Sequence, residues 1–182
     1  MHILKLMLSA TAIIAIALLN TIVTAQSGDN DHDHAKKMAD IVILGDLTLS
    51  GHWTRAMLPG QKAGGGFVTI VNNGGDDDRL VAVSTPGVAR SEIHEMAVVD
   101  DVMKMRALGE GLPLPAGETV ELKPGGFHLM FMGVEQPFKE GGMVPVVLTF
   151  EQAGDVELML PVMPANTKSM GHGDHDHGDK TN

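Results

Sequence analysis

Residues 118–132 read Glu118-Thr119-Val120-Glu121-Leu122-Lys123-Pro124-Gly125-Gly126-Phe127-His128-Leu129-Met130-Phe131-Met132. Val120 and Leu122 alternate with Glu121 and Lys123, a period of two that puts apolar side chains on one face of a strand and charges on the other. Pro124-Gly125-Gly126 is a turn signal. Beyond it the period resumes, with Phe127, Leu129 and Phe131 on one face and His128, Met130 and Met132 on the other. The stretch therefore predicts two strands joined by a tight connection. The first face of the second strand suits a core, which sends His128 and Met130 outward or toward a rim.

The same signature recurs outward along the chain. Runs rich in Val, Ile, Leu, Thr and Phe at Ile41–Leu49, Gly66–Asn72, Arg79–Ser84, Arg90–Val98, Val102–Arg106, Glu118–Lys123, Phe127–Met132, Val144–Glu151 and Val156–Val162 are separated by turn clusters such as Asn72-Asn73-Gly74-Gly75 and Pro115-Ala116-Gly117. No stretch shows a sustained helical period with caps, and no internal repeat is visible. Short strands at close spacing predict an all-β, mainly antiparallel Greek-key barrel or sandwich.

This domain is expected over residues 39–164, with appendages at both ends. Lys5 precedes an uncharged run, Leu6–Leu19, in which only Ser9 and Thr11 are polar, and Val23-Thr24-Ala25 supplies a small-residue cleavage pattern. Residues 1–25 read as a secretory signal peptide cut after Ala25. A retained membrane anchor is the competing reading, but the run is shorter than the about 20 apolar residues a span needs. Export to a bacterial periplasm, with no stable membrane insertion after cleavage, is the expectation. Residues 26–38 and 165–182 have no apolar periodicity and are expected to be flexible tails. The first carries His32 and His34; the second carries Met170, His172, His175 and His177 among Asp and Gly.

Composition removes several chemistries. The chain has no Cys, which excludes disulfides, a thiol nucleophile, cysteine-held zinc, iron–sulfur clusters and a lipid-modified N-terminal Cys. Thirteen Lys and Arg against 23 Asp and Glu give a formal charge of −10, which argues against a nucleic-acid partner.

Three strands carry one unusual pattern. Positions two apart share a face, and the pairs so placed are His94 with Met96, Met103 with Met105, and His128 with Met130. Met is a common gap-filler in cores, and packing is the ordinary explanation for any one of these residues. The repeated His-x-Met pair, with Met-x-Met between, points instead to a soft metal. Thioether sulfur is uncharged and polarisable and prefers Cu(I), and imidazole also suits copper. Blue-copper electron transfer needs a Cys thiolate, which is absent. Catalytic zinc favours His and carboxylate ligands; Glu92 and Glu95 beside His94 are the residues that would serve it. No Ser lies in a Gly-x-Ser-x-Gly turn.

The spacing of these residues is itself a motif. Ten residues separate His94 from Met105, and 22 separate Met105 from the His128-x-Met130 pair. Together with Glu92-Ile93-His94-Glu95, Val102-Met103-Lys104-Met105-Arg106, Pro124–Met130 and Leu148-Thr149-Phe150-Glu151, the run from Trp53 to Met163 resembles the periplasmic copper chaperone family PCu(A)C. The resemblance implies a cupredoxin-like barrel, not an enzyme, that binds one Cu(I) through His94, Met105, His128 and Met130. It also implies Met96 and Met103 as secondary or alternate ligands. The expected partner is the copper-site subunit of cytochrome c oxidase or a thiol-containing assembly factor, with the carrier a monomer.

Imidazoles set among Asp and Gly in the C-terminal tail suit Cu(II) or Zn(II). A copper or zinc buffer built on the tails is therefore the alternative to a chaperone. Other stretches are read as structural. His52 and Trp53 are expected to pack, with an aromatic near the site able to shield copper; Gly64-Gly65-Gly66 lacks the Lys-Ser/Thr and helix of a phosphate loop; Asp76-Asp77-Asp78 lacks calcium-loop spacing and reads as a solvated turn.

Overall fold

The computed structural model describes residues 41–99 and 102–169. Eleven strands form, and no helix occurs among the described residues. They are β1 (Val42–Leu44), β2 (Leu47–Arg55), β3 (Ala63–Asn72), β4 (Asp78–Ser84), β5 (Val88–Val99), β6 (Val102–Ala107), β7 (Leu112–Leu114), β8 (Thr119–Leu122), β9 (Phe127–Val134), β10 (Met143–Phe150) and β11 (Gly154–Met163). The path of hydrogen-bonded neighbours is β6-β5-β9-β8-β3-β2-β11-β10-β4-β7, with β1 added to β2. Pairing is antiparallel except between β2 and β11 and between β8 and β9, which run parallel. The all-β expectation is met.

Period-two burial produces the core. Leu49, Ile70, Leu80, Leu129, Phe131, Val146, Leu148 and Leu160 are fully buried and come from six strands of this path. Each side chain of this size removed from water contributes about 1.5–3 kcal/mol.

Two local features depart from the sequence expectation. The run Ile41–Leu49 is not one strand: Gly45 takes a left-handed φ of 56° and turns the chain, so that Leu44 pairs with Leu47 in a hairpin. β7 was not expected, because a three-residue strand centred on Pro113 carries no visible alternation.

A bulge in β2 has wider consequences. Gly51 has φ 56°, and the register slips between Ser50, opposite Thr69, and Trp53, opposite Phe67. One extra residue on β2 reverses the inside–outside phase. Leu47 and Leu49 face the core before the bulge; after it, Trp53 joins Phe67 on the opposite face of the sheet. Their rings lie 4.5 Å apart.

β3 divides its length between two partners and so fixes β9. Its second half pairs with β8, Val68 opposite Leu122, and its first half pairs with β9, Gly65 opposite Met130. β9 is thus held on one side by β3 and on the other by β5. Among the described residues β6 pairs only with β5, and all six of its residues are exposed.

Candidate metal centre

Register brings the sequence-separated donors onto one sheet face. His94 on β5 lies opposite His128 on β9, and Glu92 lies opposite Met130. On the other side of β5, Met96 lies opposite Met105 and Val98 opposite Met103 on β6. Residues opposite one another share a face, so His94, Met96, Met103, Met105, His128 and Met130 are all on the same side. Ile93, Leu129 and Phe131 point the other way, into the core.

The two imidazoles lie side by side on this face. Their ring centroids are 5.7 Å apart at an interplanar angle of 60°. His128 was expected to face outward or toward a rim; it does lie on the face opposite the core, yet it is only 5 % exposed, and it lines a groove together with residues of the β2–β3 region and the turn before β9. Met130 and Met96 are half-buried, whereas Met105 and Met103 are exposed.

Hydrogen bonds assign a tautomer to each ring. His128 Nδ1 lies 3.0 Å from the Gly126 carbonyl, which can only accept, so Nδ1 carries the proton and Nε2 keeps its lone pair. His94 Nε2 donates to Glu92 Oε2 at 2.7 Å. The neutral ring then has its lone pair on Nδ1, an atom buried with no hydrogen-bond partner. Glu92 is steadied by Arg90, whose Nε lies 3.1 Å from the other carboxylate oxygen. The His94 hydrogen bond, helped by Arg90, holds the Glu92 carboxyl below its ordinary pKa. Burial, and to a smaller degree the neighbouring His94, lowers the pKa of His128 and favours its neutral form. A neutral imidazole with its second nitrogen tied to a carboxylate or carbonyl is the state in which histidine binds a metal.

A groove of about 460 Å³ opens beside the His128 ring, lined by Met96, His128 and Met130 on one side and by Gly65, Phe67 and Arg55 on the other. Arg55 stacks over Trp53 and Phe67 at 5.7 and 5.5 Å and donates from Nε to the Thr167 carbonyl at 2.8 Å. Ala165 also lines the groove, so the C-terminal segment passes along its edge.

Several residues had a role that the sequence reading missed. Gly64-Gly65-Gly66, weighed as a phosphate loop with only its last residue read into a strand, lies wholly within β3. Gly65 presents bare backbone opposite Met130, and a methyl group at Gly66 would sit 2.9 Å from the Phe131 ring. A glycine run inside a strand pattern signals such close approach. Trp53 was expected to pack, and it does so, buried against Phe67, which lines the groove. Glu95 does not join Glu92: it faces the opposite side, bound to Arg106 at 2.6 Å. Asp78 is not a solvated turn residue. It is buried, and its carboxylate accepts from the backbone N–H groups of Arg79, Gln152 and Ala153. His32, His34, Met170, His172, His175 and His177 lie outside the described residues.

Comparison with known proteins supports the same class. The LpqE-like lipoprotein family model matches residues 47–162. The Lxx21020 protein of Leifsonia xyli subsp. xyli, also named as a lipoprotein, is 28% identical over 116 residues, covering 64% of this chain and 69% of its own length. Among solved structures, the apo PCuAC domain from PmoF1 superposes with a TM-score of 0.58 at 26% identity, over 68% of this chain and 98% of that domain. The Cu(I) form of DR1885 from Deinococcus radiodurans shares the fold, with a TM-score of 0.52 at 24% identity over 74% of this chain and 88% of that one.

The chain belongs to the LpqE-like family, and the PCu(A)C resemblance with its cupredoxin-like fold is borne out. These likenesses support a copper-binding carrier and not an enzyme. The 182 residues contain no Cys, the residue that carries a bacterial lipoprotein's lipid.

Proposed function

We propose that this protein is an exported copper chaperone that holds Cu(I) with His94, Met105, His128 and Met130 and passes it to a partner. The observation that carries the reading is the His94–His128 pair. Each ring has one nitrogen committed to Gly126 or Glu92, each has a lone pair left over, and both share a face with thioethers. Two neutral imidazoles and two thioethers bind a monovalent soft ion without adding negative charge. The half-open groove leaves a partner's ligands a way in.

On this reading residues 1–25 are removed on export, residues 39–164 form the copper domain, and the monomer works in the periplasm. The acceptor is the oxidase copper-site subunit, or a thiol-bearing assembly factor that loads the binuclear centre of cytochrome c oxidase. The tail histidines His172, His175 and His177, with Met170, collect Cu(II). Support for the acceptor is the PCu(A)C resemblance. Support for the tail is its donor chemistry together with the Arg55–Thr167 bond that starts it at the groove.

X-ray absorption on the Cu(I)-loaded chain tests the core site. Mixed sulfur and nitrogen scatterers are expected, and an all-nitrogen shell would move copper to the tails and favour the buffering alternative. Mixing the loaded chain with a soluble oxidase copper domain should transfer the metal; retention would refute delivery.

A further inference from the structure

The four proposed donors do not sit equally close on the sheet, and Met96 occupies the gap. Two residues along a strand span roughly 6.7 Å and neighbouring strands lie about 4.8 Å apart, which separates the Met105 and Met130 backbones by roughly 16 Å on an untwisted lattice. His94 lies one diagonal step from each of them. Met96 lies directly opposite Met105 and two residues beyond His94 on the same face. Its backbone N–H donates to the Gly126 carbonyl at 3.1 Å, the oxygen that also accepts from His128 Nδ1. One carbonyl therefore holds Met96 beside the His128 ring, and the Met96 side chain lines the groove together with His128 and Met130.

We infer that Met96 is a fifth copper donor, and that it and Met105 form an outer Cu(I) position sharing His94 with an inner position of His94, His128 and Met130. The inference rests on the proposed Cu(I) reading of this site. Movement between positions is ligand exchange at constant oxidation state. The Cu–N bond to His128 and the Cu–S bond to Met130 break as Cu–S bonds to Met96 and Met105 form, while the bond to His94 Nδ1 persists. No electron or proton moves, because thioethers bind without deprotonation.

Exposure orders the two positions. Met105 and Met103 are 49% and 58% exposed on edge strand β6, while His128 is buried. Met103, one step beyond Met105, is the outermost thioether on this face. A soft-ligand acceptor reaches the outer position first. Met57 also lines the groove, but its sulfur packs over Gly64 near Phe138 and belongs to the core side.

Methionine methyl NMR on the full chain, labelled with 13C at the methyl group and titrated anaerobically with Cu(I), reads each sulfur separately. The Met96, Met105 and Met130 methyl signals should all shift in step up to one equivalent. A Met96 signal that stays fixed while those of Met105 and Met130 move overturns the outer position and leaves the four-residue site standing. Fixed signals at all three overturn both. Met96→Leu preserves volume, and it should slow copper removal by a bathocuproine chelator about tenfold, with Cu(I) affinity falling by less than about threefold. Wild-type release kinetics in Met96→Leu would refute the inference independently of the spectra.

Discussion

The β5–β9 pair and the β5–β6 ribbon share a strand and a face but differ in what constrains them. On the β9 side, His94 and His128 are covered, each ring is fixed by a hydrogen bond, and the reverse face is the fully buried core around Leu129 and Phe131. On the β6 side, Met103 and Met105 stand in solvent on an edge strand with no neighbour beyond it among the described residues. A carrier needs both properties. Preorganised nitrogen donors give affinity, because their orientation is fixed before the metal arrives; loosely held thioethers give exchange, because a competing ligand can approach them.

The sharpest way to break this comparison is to remove an inner imidazole. His128→Gln should lower Cu(I) affinity by about 100-fold or more, since even the groups behind a metal-binding histidine are commonly worth about 10–100-fold. Competition with a Cu(I)-specific chelator measures it. Fluorescence of Trp53, the one tryptophan, checks that the fold survives. Met105→Leu on the ribbon should cost distinctly less. Equal losses at both positions would abolish the distinction between the two regions.

Glu92→Gln comes next in size. The amide still fills the space, but its carbonyl is a weaker acceptor for His94 Nε2–H, and Arg90 loses its ionic partner. Affinity should fall about tenfold with little change in stability, since Glu92 is a half-exposed residue and not part of the core. An unchanged dissociation constant would mean that the His94 tautomer is set by something other than Glu92.

How far this difference was legible depends on whether a feature is periodic or spatial. Period two reveals β9, β8 and most other strands, and it places His128 and Met130 on one face. It could not reveal the Gly51 bulge, because one extra residue within Ser50-Gly51-His52 leaves no mark on composition, although it decides that Trp53 packs on Phe67 behind the groove. The His94–His128 pairing was likewise beyond reach. Residue spacing named both histidines, whereas register, Gly126 and Glu92 determine which nitrogens stay open. β7 escaped for a simpler reason, since three residues around Pro113 are too few to show alternation.

The support beneath the inner region can be tested without touching a donor. Gly66 lies on β3 beside β9, opposite Leu129, and a methyl group there would press on the Phe131 ring at 2.9 Å and on Leu160 at 3.2 Å. Gly66→Ala should destabilise the fold by about 1–3 kcal/mol through overpacking, seen as a lower midpoint in denaturant. If stability is unchanged, the core below the histidines is softer than its burial implies, and the rigid half of the comparison weakens.

The smallest effect is expected on the reverse face of the ribbon. Arg106 Nη2 lies 2.6 Å from Glu95 Oε2, and the Arg106 side chain is 72% exposed. Water and salt screen such a pair, and holding a long side chain in one geometry costs entropy, so Arg106→Gln should cost no more than about 0.2–1 kcal/mol. Because Glu95 and Arg106 face away from Met96 and Met105, Cu(I) affinity and release rate should stay at wild-type values. A substantial change in release rate would show that the ribbon's twist, and not only its methionines, governs how copper leaves. That result would join the two regions into one mechanical unit where the geometry now separates them.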